Sequence, residues 1–280
     1  MSRARDLADS ADKDIVGTIT VDGLTVAGNV SADGGTIKLD GNYPVGTNNV
    51  ALGDGSMSAV QAGADSNTVV GHSALSSLTT GDQNSAFGRG TLNNVTTGSY
   101  NSALGFASLN QNTGQYNTAV GAGSLQLNTT ASNNTAVGYK AGYSNTTGAY
   151  NTFLGDIAGR DNTTGSANTA VGYGSMFEGT TTGSSNTAVG TVSMQNLSSG
   201  SYNVAIGTDS LKANTTASQN TAVGYQSLYT NTTGASLSAV GVGALYANTT
   251  GSNNVAMGTS SLVSNTTGAS NTGLGRDALR

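Results

Sequence analysis

Cysteine and tryptophan are absent from this 280-residue sequence, and proline and histidine occur once each. Without cysteine the chain forms no disulfide and offers no thiolate ligand to a metal. Charged residues make up only 9% of the chain, against roughly 25% in an average soluble domain. Soluble disordered chains are normally rich in charge, so this scarcity argues against disorder. With 41 glycines as well, the chain is most readily folded as stacked, regular β structure.

The charge pattern also excludes several classes of partner. The net charge is −5 and lysine and arginine form no run, so we expect no nucleic-acid partner. No apolar stretch approaches the roughly 20 residues of a membrane span, so we expect no membrane insertion. The opening residues, MSRARDLADSADKD, lack the apolar segment of a secretory signal.

A phrase related to Asn-Thr-Ala-Val-Gly recurs fourteen times. Its copies begin at Asn49, Asn67, Asn84, Asn101, Asn117, Asn134, Asn151, Asn168, Asn186, Asn203, Asn220, Leu237, Asn254 and Asn271. The successive differences between these starting numbers are 18, 17, 17, 16, 17, 17, 17, 18, 17, 17, 17, 17 and 17. Such a constant period predicts a solenoid with one repeat per coil. We number the repeat positions 1 to 17, so that residues 134–150 are one repeat.

The residues at each repeat position predict the local structure. Glycine fills position 5 in all fourteen repeats, from Gly53 to Gly275, which indicates a positive φ or a close backbone approach. Positions 2 to 4 suit a strand, in which positions 2 and 4 share one face and positions 1 and 3 the other. We expect the apolar position 4, for example Val137, to line the interior. The small position 3, for example Ala136, would then face a neighbouring chain.

Three further features complete the predicted coil. Position 9 is leucine, methionine or glycine and would form the second wall of the core. The Asn-Thr-Thr-Gly phrase, as at 145–148, predicts a corner, because asparagine and glycine tolerate left-handed backbone. Asparagine at position 1 predicts a ladder of stacked amides that is broken only at Leu237. Coils stacked at about 4.8 Å would extend over roughly 60 Å.

These phrases carry a resemblance to two families of trimeric proteins. Residues 49–275 resemble the head repeats of trimeric autotransporter adhesins, and more closely the longer repeats of marine bacteriophage tail-fibre-like proteins. The matching positions are Asn134, Ala136, Val137, Gly138, Ala141 and the corner at 145–148, and they recur in the next repeat at Asn151, Leu154 and Gly155. Residues 22–46 also look like the neck that precedes such phage repeats. The 17-residue period departs from the shorter autotransporter one.

The resemblance implies a fold and a domain organisation. We expect an all-β protein, a parallel β-solenoid or β-roll of about fourteen 17-residue coils, with three chains side by side in a homotrimeric fibre. Residues 1–18 are predicted to be an attachment arm, either a short helix or mobile, and residues 19–48 a strand-rich neck. Residues 49–280 would form the shaft. Because the sequence stops part-way through a repeat, we expect the shaft to continue or to carry a further tip.

The resemblance also implies a function. The chain is expected to be a structural and adhesive fibre of a virus particle, located on the virion, that mediates attachment to the host. Its partners would be two further copies of itself, tail or capsid proteins of the virion, and a glycan or protein of the host cell surface. Arg3, Arg5, Asp6 and Leu7 are the candidate residues for attachment to the virion. Tyr139, Tyr173 and Tyr225, which share position 6, are candidate surface contacts, although packing over a corner or between chains is the favoured explanation.

No pattern in the sequence predicts a catalytic, cofactor-binding or metal site. The single histidine, His72, occupies a variable position without an evident partner, and the acidic residues do not recur in register. We therefore expect no enzyme activity and no cofactor. The alternatives are an ice-binding solenoid, which would use its threonine arrays, another cell-surface adhesin, or, with less support, a fibre that degrades polysaccharide through a site assembled between chains.

Overall fold

The computed structural model describes residues 48–280 of the chain. The predicted arm and all but the last residue of the predicted neck lie outside this range, and so do Arg3, Arg5, Asp6 and Leu7. The described chain forms fourteen three-residue strands. These are β1 Val50–Leu52, β2 Thr68–Val70, β3 Ser85–Phe87, β4 Ser102–Leu104, β5 Thr118–Val120, β6 Thr135–Val137, β7 Thr152–Leu154, β8 Thr169–Val171, β9 Thr187–Val189, β10 Val204–Ile206, β11 Thr221–Val223, β12 Ser238–Val240, β13 Val255–Met257 and β14 Thr272–Leu274.

The strands form one parallel sheet in chain order. Each strand pairs with the next one along the chain, from β1 to β14. The register joins equal repeat positions, so that Thr135 lies beside Thr152 and Val137 beside Leu154. The predicted strand positions 2 to 4 are thus confirmed. Residues 48–280 are an all-β parallel solenoid of about thirteen turns, with one 17-residue repeat in most turns.

The interior of the coil is lined by position 3 and not by position 4. Ala136, at position 3, is fully buried, whereas Leu104 and Leu154, at position 4, are 51% and 46% exposed. The prediction that the larger apolar residue faces inward was therefore wrong. Alternation along a strand shows which residues share a face, but it does not show which face is inside. Here the large side chains of position 9 occupy the interior, so the strand contributes only a methyl group in most coils.

Position 9 forms the second wall of the core, as predicted. Its buried side chains are Met57, Leu75, Leu92, Leu109, Leu125, Met176, Met194, Leu211, Leu228, Leu245 and Leu262. All of these residues have left-handed backbone, with φ between 46° and 53°. Such a conformation costs roughly 1–2 kcal/mol for a residue with a side chain. Burying a leucine or methionine contributes about 1.5–3 kcal/mol, which offsets that cost.

In one coil the large buried side chain comes from position 3 and not from position 9. Phe153 replaces the usual alanine at position 3 of β7 and is fully buried. Position 9 is glycine instead of leucine both in this repeat, at Gly159, and in the preceding repeat, at Gly142. A Cβ on Gly142 would lie 2.6 Å from the Phe153 ring, and a Cβ on Gly159 would collide with that ring. The aromatic side chain therefore fills the volume that two leucines fill elsewhere, and a single close-packed interior is maintained.

The glycine at position 5 meets both requirements that its recurrence predicted. Gly138 has a φ of +136°, and a Cβ at this residue would collide with the carbonyl oxygen of Gly155 in the next coil. The same overlap with the following coil is found from Gly53 to Gly258. A side chain at this corner would therefore force neighbouring coils apart.

The predicted ladder at position 1 is present, and its repeated bond runs from backbone to side chain. Asn151 N donates to Asn134 Oδ1 at 2.9 Å, and Asn134 N donates to Asn117 Oδ1 at 3.0 Å. The Asn134 side chain also donates to Gly148 O, at 2.9 Å, and so ties the strand to the corner. Leu237 is buried and interrupts the ladder, since it offers no acceptor to the following repeat.

A second amide ladder runs through position 12, at the corner. Asn145 Nδ2 donates to Asn128 Oδ1 at 2.7 Å and to Gly148 O at 2.9 Å. The asparagines occur in two runs of four consecutive coils, at 112, 128, 145 and 162 and at 214, 231, 248 and 265. Val60, Leu78, Val95 and Leu197 occupy this position in other coils, and in the lengthened repeat 168–185 Thr181 pairs with Asn162 in its place. A buried amide needs a hydrogen-bonding neighbour, which explains why amides are grouped with amides.

Replacing Asn134 with alanine is expected to destabilise the solenoid by about 2–4 kcal/mol. The buried Asn151 N–H loses its acceptor, which costs about 1–3 kcal/mol, and a small void adds to the loss. Hydrogen exchange at the Asn151 amide should accelerate. The Asn168 amide, whose acceptor Asn151 Oδ1 remains in place at 2.9 Å, is the internal control. Unchanged protection at Asn151 would show that the ladder does not stabilise the coil.

Candidate functional site

The outward side of the sheet carries a continuous apolar stripe. We call the side chains of positions 2 and 4 in β1–β14 the apolar strand face. Position 2 is threonine, serine or valine, and position 4 is always apolar. The exposed large side chains at position 4 are Leu52 (44%), Phe87 (39%), Leu104 (51%), Leu154 (46%), Ile206 (42%), Val240 (39%), Met257 (48%) and Leu274 (64%). Because the strands pair in register, position-4 side chains follow one another at about 4.8 Å.

A second surface is formed at position 6, beside the glycine corner. Each coil makes the same turn here, and position-7 N–H groups bond to the position-6 carbonyl of the preceding coil. Gly90 N donates to His72 O at 3.0 Å, and Ala107 N donates to Arg89 O at 3.0 Å. The side chains of His72, Arg89 and Phe106 are thereby held on three consecutive coils.

These three side chains line a depression of about 250 Å³, which we call the Arg89 depression. Its other lining residues include Ser73, Asn93 and Asn110. The Arg89 guanidinium lies 5.8 Å from the centre of the Phe106 ring, and Phe106 is 56% exposed. Both charge and an open aromatic face are thus presented to solvent at one place.

The asparagines of the Arg89 depression are held by the groups around them. Asn93 Nδ2 donates to Ser73 O at 2.7 Å and to Ser76 Oγ at 2.9 Å. Asn110 Nδ2 donates to Gly90 O at 2.9 Å. These bonds fix the orientation of both amides, so the floor of the depression is preorganised.

Most cations of the described chain are paired with carboxylates. Arg160 lies 2.7 Å from Asp161, Lys212 lies 2.9 Å from Asp209, and Arg276 and Arg280 both approach Asp277. Hydrogen bonds to these carboxylates raise the pKa of Arg160 and of Lys212 above their usual values.

Arg89 and Lys140 differ from the other cations within residues 48–280. Neither has a carboxylate within 4.0 Å there, and their recorded partners are aromatic rings. Lys140 Nζ lies 5.2 Å and 5.4 Å from the ring centres of Tyr139 and Tyr143. These two cations are therefore the ones that remain electrostatically available to an anionic ligand.

The candidate tyrosines remain exposed, but the structure does not bring them together. Tyr139, Tyr173 and Tyr225 are 52%, 54% and 50% exposed and lie two or more coils apart. Other tyrosines stack within the chain. These pairs are Tyr100 with Tyr116, whose ring centres lie 4.9 Å apart, and Tyr229 with Tyr246, at 5.1 Å. Packing between neighbouring coils therefore accounts for these two pairs.

His72 has a partner that the sequence did not reveal. Its Nε2 lies 3.7 Å from Asp54 Oδ2, which belongs to position 6 of the preceding repeat. Both side chains are largely exposed. Comparing position 6 along the chain would have found this pair, because equal positions in adjacent repeats become neighbours. No group of three or more potential metal ligands occurs in the portion of the chain that the structure describes.

The repeat residues singled out from the sequence belong to the scaffold. The ladder contains Asn134 and Asn151, and the core contains Ala136. The glycine corners are Gly138 and Gly155. Val137 and Leu154 were predicted to line the interior, but they belong to the apolar strand face.

The fold places residues 48–280 in the class of parallel β-solenoid repeat proteins. Each coil contributes one strand to the single parallel sheet. Comparison with protein-family models, curated proteins and solved structures gives no match. Among the described residues, no helix has the length and apolar character needed to cross a membrane.

Proposed function

We propose that residues 48–280 form the shaft of a homotrimeric virion fibre that mediates attachment to the host. The observation that carries this proposal is the apolar strand face. It runs through all fourteen strands and leaves leucine, isoleucine, phenylalanine and methionine side chains about half exposed. Soluble monomers rarely expose a contiguous apolar patch of this kind unless it binds something.

The size of the apolar strand face suits self-association. Thirteen steps of about 4.8 Å and a width of about 10 Å give roughly 600 Å² per chain. Stable protein interfaces bury about 800 Å² on each partner, so additional contacts at the edges of the face complete a standard interface. A second copy carries a face of equal length and equal repeat, which makes it a well-matched occupant.

The mechanical role follows from the same arrangement. A stack of in-register coils bonded to both neighbours is a rigid spacer, and three copies multiply weak contacts with a host surface into avidity. Attachment to the virion is assigned to the N-terminal arm, and host recognition to the exposed side chains that vary between repeats. These two assignments rest on the resemblance to phage tail-fibre-like proteins described above.

Ice binding is the second candidate, because the outward face presents threonine at position 2 and an apolar residue at position 4. Thr135 and Val137 are one such pair, and Thr169 and Val171 another. The face is less uniform than an ice-matching array requires, since Phe87, Leu104 and Met257 also occur at position 4. Thermal hysteresis at high protein concentration would favour this candidate, and its absence would dismiss it.

Light scattering after size-exclusion chromatography tests the fibre proposal. The chain has a mass of 27.6 kDa, so we expect a particle three times as heavy. The quadruple variant Leu104→Gln, Leu154→Gln, Ile206→Gln and Met257→Gln should dissociate towards the monomer. Each substitution removes roughly 1 kcal/mol of apolar burial per chain, about half the value of a fully buried side chain.

The matched control removes exposed aromatic side chains that lie outside the strands. Tyr150 and Tyr202 are 68% and 67% exposed and precede β7 and β10. Their replacement by serine should leave the mass of the particle unchanged apart from the substituted atoms. A wild-type chain that is monomeric at micromolar concentration would refute the proposal.

A further inference from the structure

We propose that the Arg89 depression binds an anionic sugar residue, whose carboxylate or phosphate group pairs with Arg89 while the ring packs on Phe106. This inference deepens the proposed function, on which it rests, by naming the ligand class at one place on the shaft. It follows from the side chains that three consecutive coils bring together.

The anionic part of the ligand is indicated by Arg89. The guanidinium has five donors in a planar fork that matches carboxylate and phosphate oxygens. Within residues 48–280 no carboxylate pairs with the Arg89 guanidinium. The guanidinium groups of Arg160 and Arg276, by contrast, lie beside Asp161 and Asp277. The Phe106 ring, 5.8 Å away, holds the guanidinium at the edge of the depression without consuming its hydrogen-bonding capacity.

The sugar part is indicated by the shape and the remaining side chains. The exposed Phe106 ring offers a flat apolar face to the C–H groups of a pyranose. Asn93 Oδ1 receives no hydrogen bond from the residues that the structure describes, and its amide is held in place by Ser73 O and Ser76 Oγ. That oxygen and the exposed His72 ring provide polar partners for hydroxyl groups.

The volume limits the ligand to a small unit. About 250 Å³ is below the roughly 300–1,000 Å³ of pockets that enclose drug-sized molecules. One sugar ring with its charged group therefore occupies the depression, and the rest of a chain extends over the surface. Binding at one site should be weak, in the millimolar range, and three copies of the site in a fibre would raise the avidity.

Saturation-transfer NMR on the full chain tests this inference. The three probes are trigalacturonate, its neutral methyl ester and glucose 6-phosphate. We expect saturation transfer to the ring protons of at least one charged probe, and the probe that binds identifies carboxylate or phosphate as the anion. Equal binding of trigalacturonate and its neutral ester would overturn the proposal, as would the absence of transfer to both charged probes at millimolar concentration.

The variants assign the binding to the depression. Arg89→Gln should weaken the binding of the charged probe at least tenfold, and Phe106→Ala about fivefold. Arg276→Gln is the matched control, because it removes the same charge from the same repeat position and should change the affinity less than twofold. An Arg89→Gln variant that binds as well as the wild type would refute the site.

The outcome separates this inference from the fibre proposal. The mass of each preparation is measured alongside binding. A trimeric chain that binds no anionic sugar would overturn only the Arg89 depression, and a monomeric chain that binds through Arg89 would overturn only the trimer.

Discussion

Phe153→Ala is expected to destabilise the solenoid by about 5 kcal/mol, the upper end of the range for such a truncation. The phenyl ring is fully buried and lies between Gly142 and Gly159, which have no side chains to move into the void. In a stack where each coil contacts only its neighbours, the defect divides the array into two parts. Hydrogen exchange should therefore show loss of protection centred on β6 to β8, in addition to a lower free energy of unfolding.

A compensating variant tests the explanation itself. Adding Gly142→Leu and Gly159→Leu to Phe153→Ala recreates the arrangement of the other coils. Both glycines already have the left-handed φ of the leucines, 59° and 58° against 47° at Leu125. We expect the triple variant to recover most of the lost stability. Gly142→Leu alone should destabilise, because the new side chain would meet the Phe153 ring. If the triple variant were no more stable than Phe153→Ala, the volume exchange would be the wrong explanation.

Gly138→Ala is expected to have the second largest effect, a loss of more than about 3 kcal/mol in the free energy of unfolding. A residue with a side chain is strained at a φ of +136°, and such strain costs about 1–3 kcal/mol. The added methyl group would also overlap the backbone of Gly155, so that the two coils must separate. The Gly155 N–H, which donates to Val137 O at 2.8 Å, should lose its protection against hydrogen exchange.

Gly243→Ala is the matched control for this prediction. Gly243 also has a positive φ, +62°, but the nearest atom to an added Cβ is 4.0 Å away, on Ser260. Other coils place residues with side chains at this repeat position, for example Gln226 with a φ of 54°. We expect a loss of about 1 kcal/mol. Equal losses at Gly138 and Gly243 would show that backbone strain, and not contact between coils, makes position 5 glycine.

The variation between repeats contained more structural information than the repeated phrase alone. Phe153 is the only aromatic residue at position 3, and position 9 is glycine in its own repeat, at Gly159, and in the preceding repeat, at Gly142. This complementary change of volume shows that positions 3 and 9 meet inside the coil. It would have corrected the placement of Val137 before the structure was considered, because only an interior position needs such compensation.

The Arg89 depression was not predicted, because its residues do not form a motif. His72, Arg89 and Phe106 are each one repeat apart in the sequence and chemically unrelated. They become neighbours only because one repeat makes one coil and equal positions stack. The tyrosines drew attention as a recurring type at position 6, whereas the Arg89 depression combines different residue types on adjacent coils.

The sequence by itself determined the period, the strand positions, the glycine corners and the position-1 amide ladder of this protein. Each of these is a local requirement that recurs from coil to coil, so it leaves a mark at a fixed position. Only the tertiary structure decided which face of the strand is inside. Both faces carry apolar residues, and the choice depends on the volume that position 9 brings from across the coil. That choice places Ala136 in the core and leaves Leu104 and Leu154 exposed on the apolar strand face.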